Sequence, residues 1–75
     1  MERSRIVKRS IRIGGHKTSV SMENEFWDIL LRIGTAEKTT ISALVERIDV
    51  AREHENLSSA IRLYVLKYVE QEGGK

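Results

Sequence analysis

The sequence predicts a mostly α-helical chain with a short N-terminal β-ribbon or β-hairpin, and three observations predict it. Apolar and polar residues alternate with period two from Ser10 to Met22. Beyond Met22 the apolar residues recur three and four apart, in three successive stretches. Charge divides near the same boundary. Residues 1–17 hold six basic side chains against the single acid Glu2, leaving +5, whereas residues 18–75 hold seven basic and ten acidic ones, leaving −3. The formal total of +2 therefore conceals a basic strand region joined to a mildly acidic helical body.

Residues 1–9 are polar and basic with only Ile6 and Val7 to bury, and a flexible arm is expected there. The folded domain is expected over 10–70, with a tail over 71–75. Within the strand region Ile11 and Ile13 alternate with Ser10 and Arg12, Gly14-Gly15 interrupts, and Thr18, Val20 and Met22 alternate with Lys17, Ser19 and Ser21. Parity shifts across the glycines, so one continuous strand would set Ile11 and Ile13 opposite in face to Val20 and Met22 unless a bulge corrected it. A two-residue Gly-Gly turn instead pairs Ile13 with His16 and Ile11 with Thr18, which returns every apolar residue to one face. The hairpin is the favoured reading and the bulge its alternative.

The first helix is expected to begin at Glu23 to Asn24, with Asn24 as a competent cap and Glu23 and Glu25 suited to the positive end of the helix dipole. Phe26, Ile29, Leu30 and Ile33 form its stripe, with Trp27 and Leu31 adjoining, and Gly34 and Lys38-Thr39-Thr40 weaken its end. Thr40 caps a second helix carrying Ile41, Leu44, Val45 and Ile48, which is expected to fray from Ala51 to Glu55. Asn56 or Ser58 caps a third, whose stripe is Leu57, Ala60, Ile61, Tyr64, Val65, Tyr68 and Val69. Leu63 and Leu66 lie off that stripe, which points to burial against a partner subunit.

Composition narrows the function classes. A 75-residue chain is one domain and buries only about 60% of the surface its unfolded form exposes. Without cysteine, disulfides and Cys-based zinc sites are closed to it, and self-association is the remaining route to stability. Charged residues make up 32% of the sequence and no apolar run approaches the roughly 18 residues a bilayer demands, so a soluble protein with no membrane partner is expected. No apolar h-region follows the basic N-terminus, and a secretory signal is not expected. Catalysis finds little support: His16 and His54 are far apart in sequence, the acids are spread at ordinary helical spacing, and no nucleophile-base set or metal-ligand spacing appears. No enzyme and no cofactor are expected. A short cationic ribbon with small hydroxyl side chains on one face, backed by helices, is instead what a β-ribbon reader of DNA requires.

The order and spacing of several segments carry a resemblance. Lys8 through Glu23, leading into Glu25-Phe26-Trp27-Asp28, then Ile41-Ser42-Ala43-Leu44-Val45, Ile48-Asp49 and Asn56-Leu57-Ser58-Ser59-Ala60-Ile61-Arg62, resembles the ribbon-helix-helix family of bacterial DNA-binding proteins. The likeness spans residues 8–69, with a third helix beyond the simplest members. It implies a homodimer in which strands from two subunits pair antiparallel into a ribbon that enters the major groove of double-stranded DNA. Lys17, Ser19 and Ser21 would then face the bases. Thr18, Val20 and Met22 would face inward, with Val20, Met22, Phe26, Leu44 and Ile48 forming the dimer core. Phosphates would fall to Arg9, Arg12 and His16 and to the start of the second helix at Thr40, Ile41 and Ser42, where free backbone N–H groups and the dipole favour an anion. Leu57 to Tyr64 itself resembles a second ribbon-helix-helix helix, which would move that clamp to Asn56, Ser58 and Ser59. Thr40 is preferred because only the first helix separates it from the ribbon.

Each signal has a plainer reading beside it. Charge runs are usually solvated, Thr40 and Ser42 are helix caps first, Trp27 reads as packing, His16 as solvated, and His54 has no evident role. The resemblance tips the balance toward a transcriptional regulator, a repressor, in the bacterial cytoplasm and at the nucleoid when bound, with assembly beyond the dimer left open. The alternative is an antitoxin or a protein-interaction adaptor that uses the helical dimer surface.

Overall fold

The computed structural model describes residues 5–53 and 56–73. Two antiparallel strands, β1 (Ile6–Ile13) and β2 (His16–Glu23), precede three helices, α1 (Asn24–Ala36), α2 (Ile41–Ala51) and α3 (Leu57–Gly73). Gly14 and Gly15 form the connection, with φ of +55° and +84°. Two successive left-handed residues are what a type I′ turn requires and what glycine adopts without a Cβ clash. Ile13 pairs with His16 and Ile11 with Thr18, so the parity argument selects the hairpin over the bulge.

The sheet is longer than the alternation suggested. β1 begins at Ile6 rather than Ser10, so residues 6–9, expected in a flexible arm, are paired: Val7 with Met22, Lys8 with Ser21 and Arg9 with Val20. The reason is visible in the parity, since Val7 and Arg9 fall in phase with Ile11 and Ile13. Residues 1–4 and His54 lie outside the described residues.

One face of the hairpin packs on the helices. Ile11, Val20 and Met22 join Leu30 and Ile33 of α1, Leu44, Val45 and Ile48 of α2, and Ala60, Ile61 and Val65 of α3 in a single core, flanked by Phe26, Trp27, Ile29, Ile41, Leu57, Tyr64 and Tyr68. The helical stripes are thus those the spacing predicted, except that Val69 is exposed.

The helix ends show where local chemistry differed from expectation. Glu23 occupies the N-cap position of α1 without a side-chain cap hydrogen bond, and Asn24 is the first helical residue. Asn24 lies one residue inside the cap position, and its side-chain oxygen accepts from the Arg9 guanidinium. α1 closes with the Thr39 N–H donating to the Gly34 carbonyl at 2.8 Å and the Lys38 N–H to the Thr35 carbonyl at 3.2 Å, with Lys38 left-handed at φ +56°. That is a Schellman ending with lysine where glycine is usual. A Cβ on Gly34 would sit 3.2 Å from the Thr39 carbonyl, so this glycine serves the close return of the chain after the helix. Thr40 caps α2 as expected, its hydroxyl accepting from the Ala43 N–H at 3.1 Å. α2 ends at Ala51, with Arg52 and Glu53 outside it, and the rest of the segment expected to fray, residues 54–55, lies outside the described residues. Asn56 caps α3, accepting from the Ser59 N–H at 2.8 Å, and the helix continues through residues 71–73, which were expected in a tail; no glycine interrupts it before Gly73.

Candidate nucleic-acid interface

The strand pairing sorts the hairpin side chains into two sets. Toward the helices point Val7, Arg9, Ile11 and Ile13 from β1 and His16, Thr18, Val20 and Met22 from β2. Away from them point Lys8, Ser10 and Arg12 paired with Ser21, Ser19 and Lys17, all six exposed. No acid interrupts this outward face until Glu23, opposite Ile6 at the far end from the turn. Among the described residues Lys8, Arg12 and Lys17 have no hydrogen-bond, ion-pair or ring partner. The outward face is therefore cationic and hydroxyl-bearing, with its charges uncompensated by the protein.

Lys17, Ser19 and Ser21 fall together on this face, and Arg12 joins them beside Lys17. Sequence reasoning missed Lys8, because residues 1–9 were read as an arm, and left Ser10, already placed on the strand, out of the site; extending the Ile11–Ile13 parity backward sets both on this face. His16 is exposed beside the turn, in the helix-facing phase. Arg9 is half-buried in that same phase. Its guanidinium lies 4.8 Å from the centroid of the Trp27 ring and donates to Asn24, while its Nε is buried without a hydrogen-bond partner. The geometry ties β1 to the first two turns of α1 and keeps this cation off the outward face.

The second edge of β2 meets α3. The Ser21 backbone N–H donates to the Ser58 hydroxyl at 3.3 Å, and Arg62 Nε donates to the Glu23 carboxylate at 2.9 Å. A hydrogen bond from its own backbone N–H, and then the one from Arg62, hold the Glu23 carboxyl below its ordinary pKa. Of the two candidate phosphate clamps, the start of α3 at Ser58 is the one hydrogen-bonded to the ribbon. At the start of α2, Thr40 is exposed and Ile41 and Ser42 are half-buried. Val20, Met22 and Leu44 are fully buried and Ile48 nearly so within their own chain, with Phe26 packed against them. Among the described residues no cluster of His, Cys, Asp or Glu could hold a metal ion, and no helix is long and apolar enough to cross a membrane.

A family model described as a ribbon-helix-helix domain matches residues 6–69. The chain belongs to the ribbon-helix-helix family, a family of DNA-binding regulators and not of enzymes. Comparison with curated proteins and with solved structures returns no match in either case.

Proposed function

We propose that this protein is a homodimeric repressor that binds a specific double-stranded DNA site with the outward face of its hairpin in the major groove. One observation carries the reading: Lys17, Ser19 and Ser21 share an exposed face with Lys8 and Arg12, with no acid among them. Lys17 can donate to guanine O6 and N7, and the serine hydroxyls can donate or accept at either base of a pair. Phosphate contacts from Arg12, His16 and the helix start at Thr40, Ile41 and Ser42 would supply most of the affinity and fix the orientation. The protein would act in the bacterial cytoplasm, on the nucleoid when bound. Two protomers related by a two-fold axis would read a palindromic or repeated site.

The test is selection of duplexes from a random pool at two salt concentrations, with wild type and Lys17→Ala. The wild type should select a site with internal symmetry. Lys17→Ala should bind it more weakly and lose preference at one symmetry-related base position. A variant that matches the wild type in both respects removes the ribbon from recognition.

A further inference from the structure

Away from the hairpin, α2 and α3 enclose a groove to which no strand residue contributes. Its cause lies in the sequence. Ala51 at the end of α2 and Ala60 near the start of α3 each offer a single methyl, so a hollow of about 340 Å³ is left beside Ile48, Leu63 and Tyr64. Arg47, Arg52 and Lys67 line it as well, all three exposed, and no acid does. We infer that this groove binds a small organic anion, a single carboxylate carried on an aromatic or branched apolar body.

Shape sets the class of ligand first. The volume lies at the small end of the roughly 300–1,000 Å³ typical of sites for small molecules. Ile48 and Ala60 are almost wholly buried and belong to the core, so the floor of the groove is the edge of that core, with Ala51 and Leu63 exposed beside it. An apolar body seated there takes exposed hydrocarbon out of water. A bare phosphate or a nucleic-acid backbone gains nothing from such a floor.

Charge sets the head group next. Two of the three cations are already engaged, since Arg47 donates to Glu37 at 2.7 Å and Arg52 to Asp49 at 2.7 Å. Lys67 has no hydrogen-bond, ion-pair or ring partner among the described residues. One unengaged cation matches one negative charge. Tyr64 lies three residues before Lys67, on the same side of α3. Burial, and then the Glu37 carboxylate, raise the pKa of its hydroxyl, which therefore keeps its proton at neutral pH. Arg47 lies beside that hydroxyl and, as a guanidinium, can only donate, so the Tyr64 oxygen accepts there and its hydrogen stays free to donate elsewhere. A carboxylate received by the Lys67 ammonium and the Tyr64 hydroxyl gains two charge-assisted hydrogen bonds. A neutral ligand of the same shape forgoes the ionic part of both.

The test is calorimetric titration of the full chain with naphthoate, with naphthylmethanol as the same ring without the charge and acetate as the charge without the ring. Naphthoate should bind saturably at one site per chain in the millimolar range or below, and acetate and naphthylmethanol distinctly more weakly. Lys67→Gln should weaken naphthoate by about tenfold, the worth of one hydrogen bond to a charged group. Ala51→Phe, at an exposed position, should fill the groove and abolish binding, whereas Val50→Phe, exposed on the same helix outside the groove, should leave it unchanged. Both variants are checked for wild-type circular dichroism and melting. Absence of saturable naphthoate binding overturns the inference. Equal binding of naphthylmethanol would reduce the groove to an apolar patch, and equal binding of acetate to a charged one. Binding that survives Ala51→Phe would place the ligand elsewhere. Affinity that falls as protein concentration rises would give the groove to a second copy of the chain, and each of these results also overturns it.

Discussion

Arg9 shows how much one side chain's direction decides. Basic residues near a ribbon are expected at phosphates, yet Arg9 shares the phase of Ile11 and Ile13 and so turns toward α1. There it meets the face of Trp27 and the side-chain oxygen of Asn24. A cation over an aromatic face contributes about 0.5–1 kcal/mol where partly exposed, and an exposed hydrogen bond such as the one to Asn24 falls at the low end of the usual net range of about 0.5–1.5 kcal/mol. Arg9→Ala should therefore destabilise the fold by about 1–2 kcal/mol, read from urea unfolding. Trp27 is the only tryptophan, so its native-state fluorescence should change in the same variant. A further variant effect separates the two roles of this cation: the slope of log affinity against log salt for a duplex should stay at the wild-type value in Arg9→Ala. A slope lowered by about 0.9 would mean that Arg9 reaches a phosphate after all.

At the scale of elements, the ribbon, α1 and α3 are joined at one corner by Ser21–Ser58 and Glu23–Arg62. The Glu23 carboxyl is held below its ordinary pKa by its own backbone N–H and by Arg62. With the folded value depressed, the contribution of this carboxylate is present above the unfolded pKa and is lost as the pH falls through the folded one. The stability gap between wild type and Glu23→Gln should thus be open at neutral pH and close as the solution is acidified through and below the glutamate range, in parallel urea titrations. A gap that stays constant with pH would assign Glu23 no linkage. This corner was not legible in the sequence, because contacts between residues 37 and 39 positions apart carry no local signal. The elements themselves were legible where a period ran long enough. Ile11, Val20 and Met22 showed their shared face once the Gly14-Gly15 turn set the register, and Leu44, Val45 and Ile48 showed theirs at helical spacing. Boundaries were less so: Ile6 and Val7 looked too few to anchor a strand until their pairing partners were known, and Asn24, read as a cap, is the first residue of the helix itself. Of the candidate site, Lys17, Ser19, Ser21 and the phase of Ser10 followed from alternation, whereas Lys8 needed β1 to extend back to Ile6.

Across the whole molecule, Lys8, Arg12 and Lys17, half of the basic residues that sequence concentrates in positions 1–17, share one face of a hairpin, and the remaining question is how two such faces are held together. Val20, Met22, Leu44 and Ile48 are covered by their own chain, so a dimer needs further apolar surface. Leu63, Leu66 and Val69 of α3 are 46%, 50% and 45% exposed and lie away from its core stripe. A chain this short gains little margin from one small core, and water contact at three large side chains on one helix adds to the reasons for association. Sedimentation equilibrium of the full chain should show a dimer, and Leu66→Glu should shift it toward monomer while far-UV circular dichroism keeps its helical signature. Because the hairpin face is untouched, the same variant should still bind duplex DNA, but with the weaker affinity of one protomer on one half-site. A wild type that sediments as a monomer at every concentration would remove the two-fold axis from the proposed mode of binding, and with it the expected symmetry of the site.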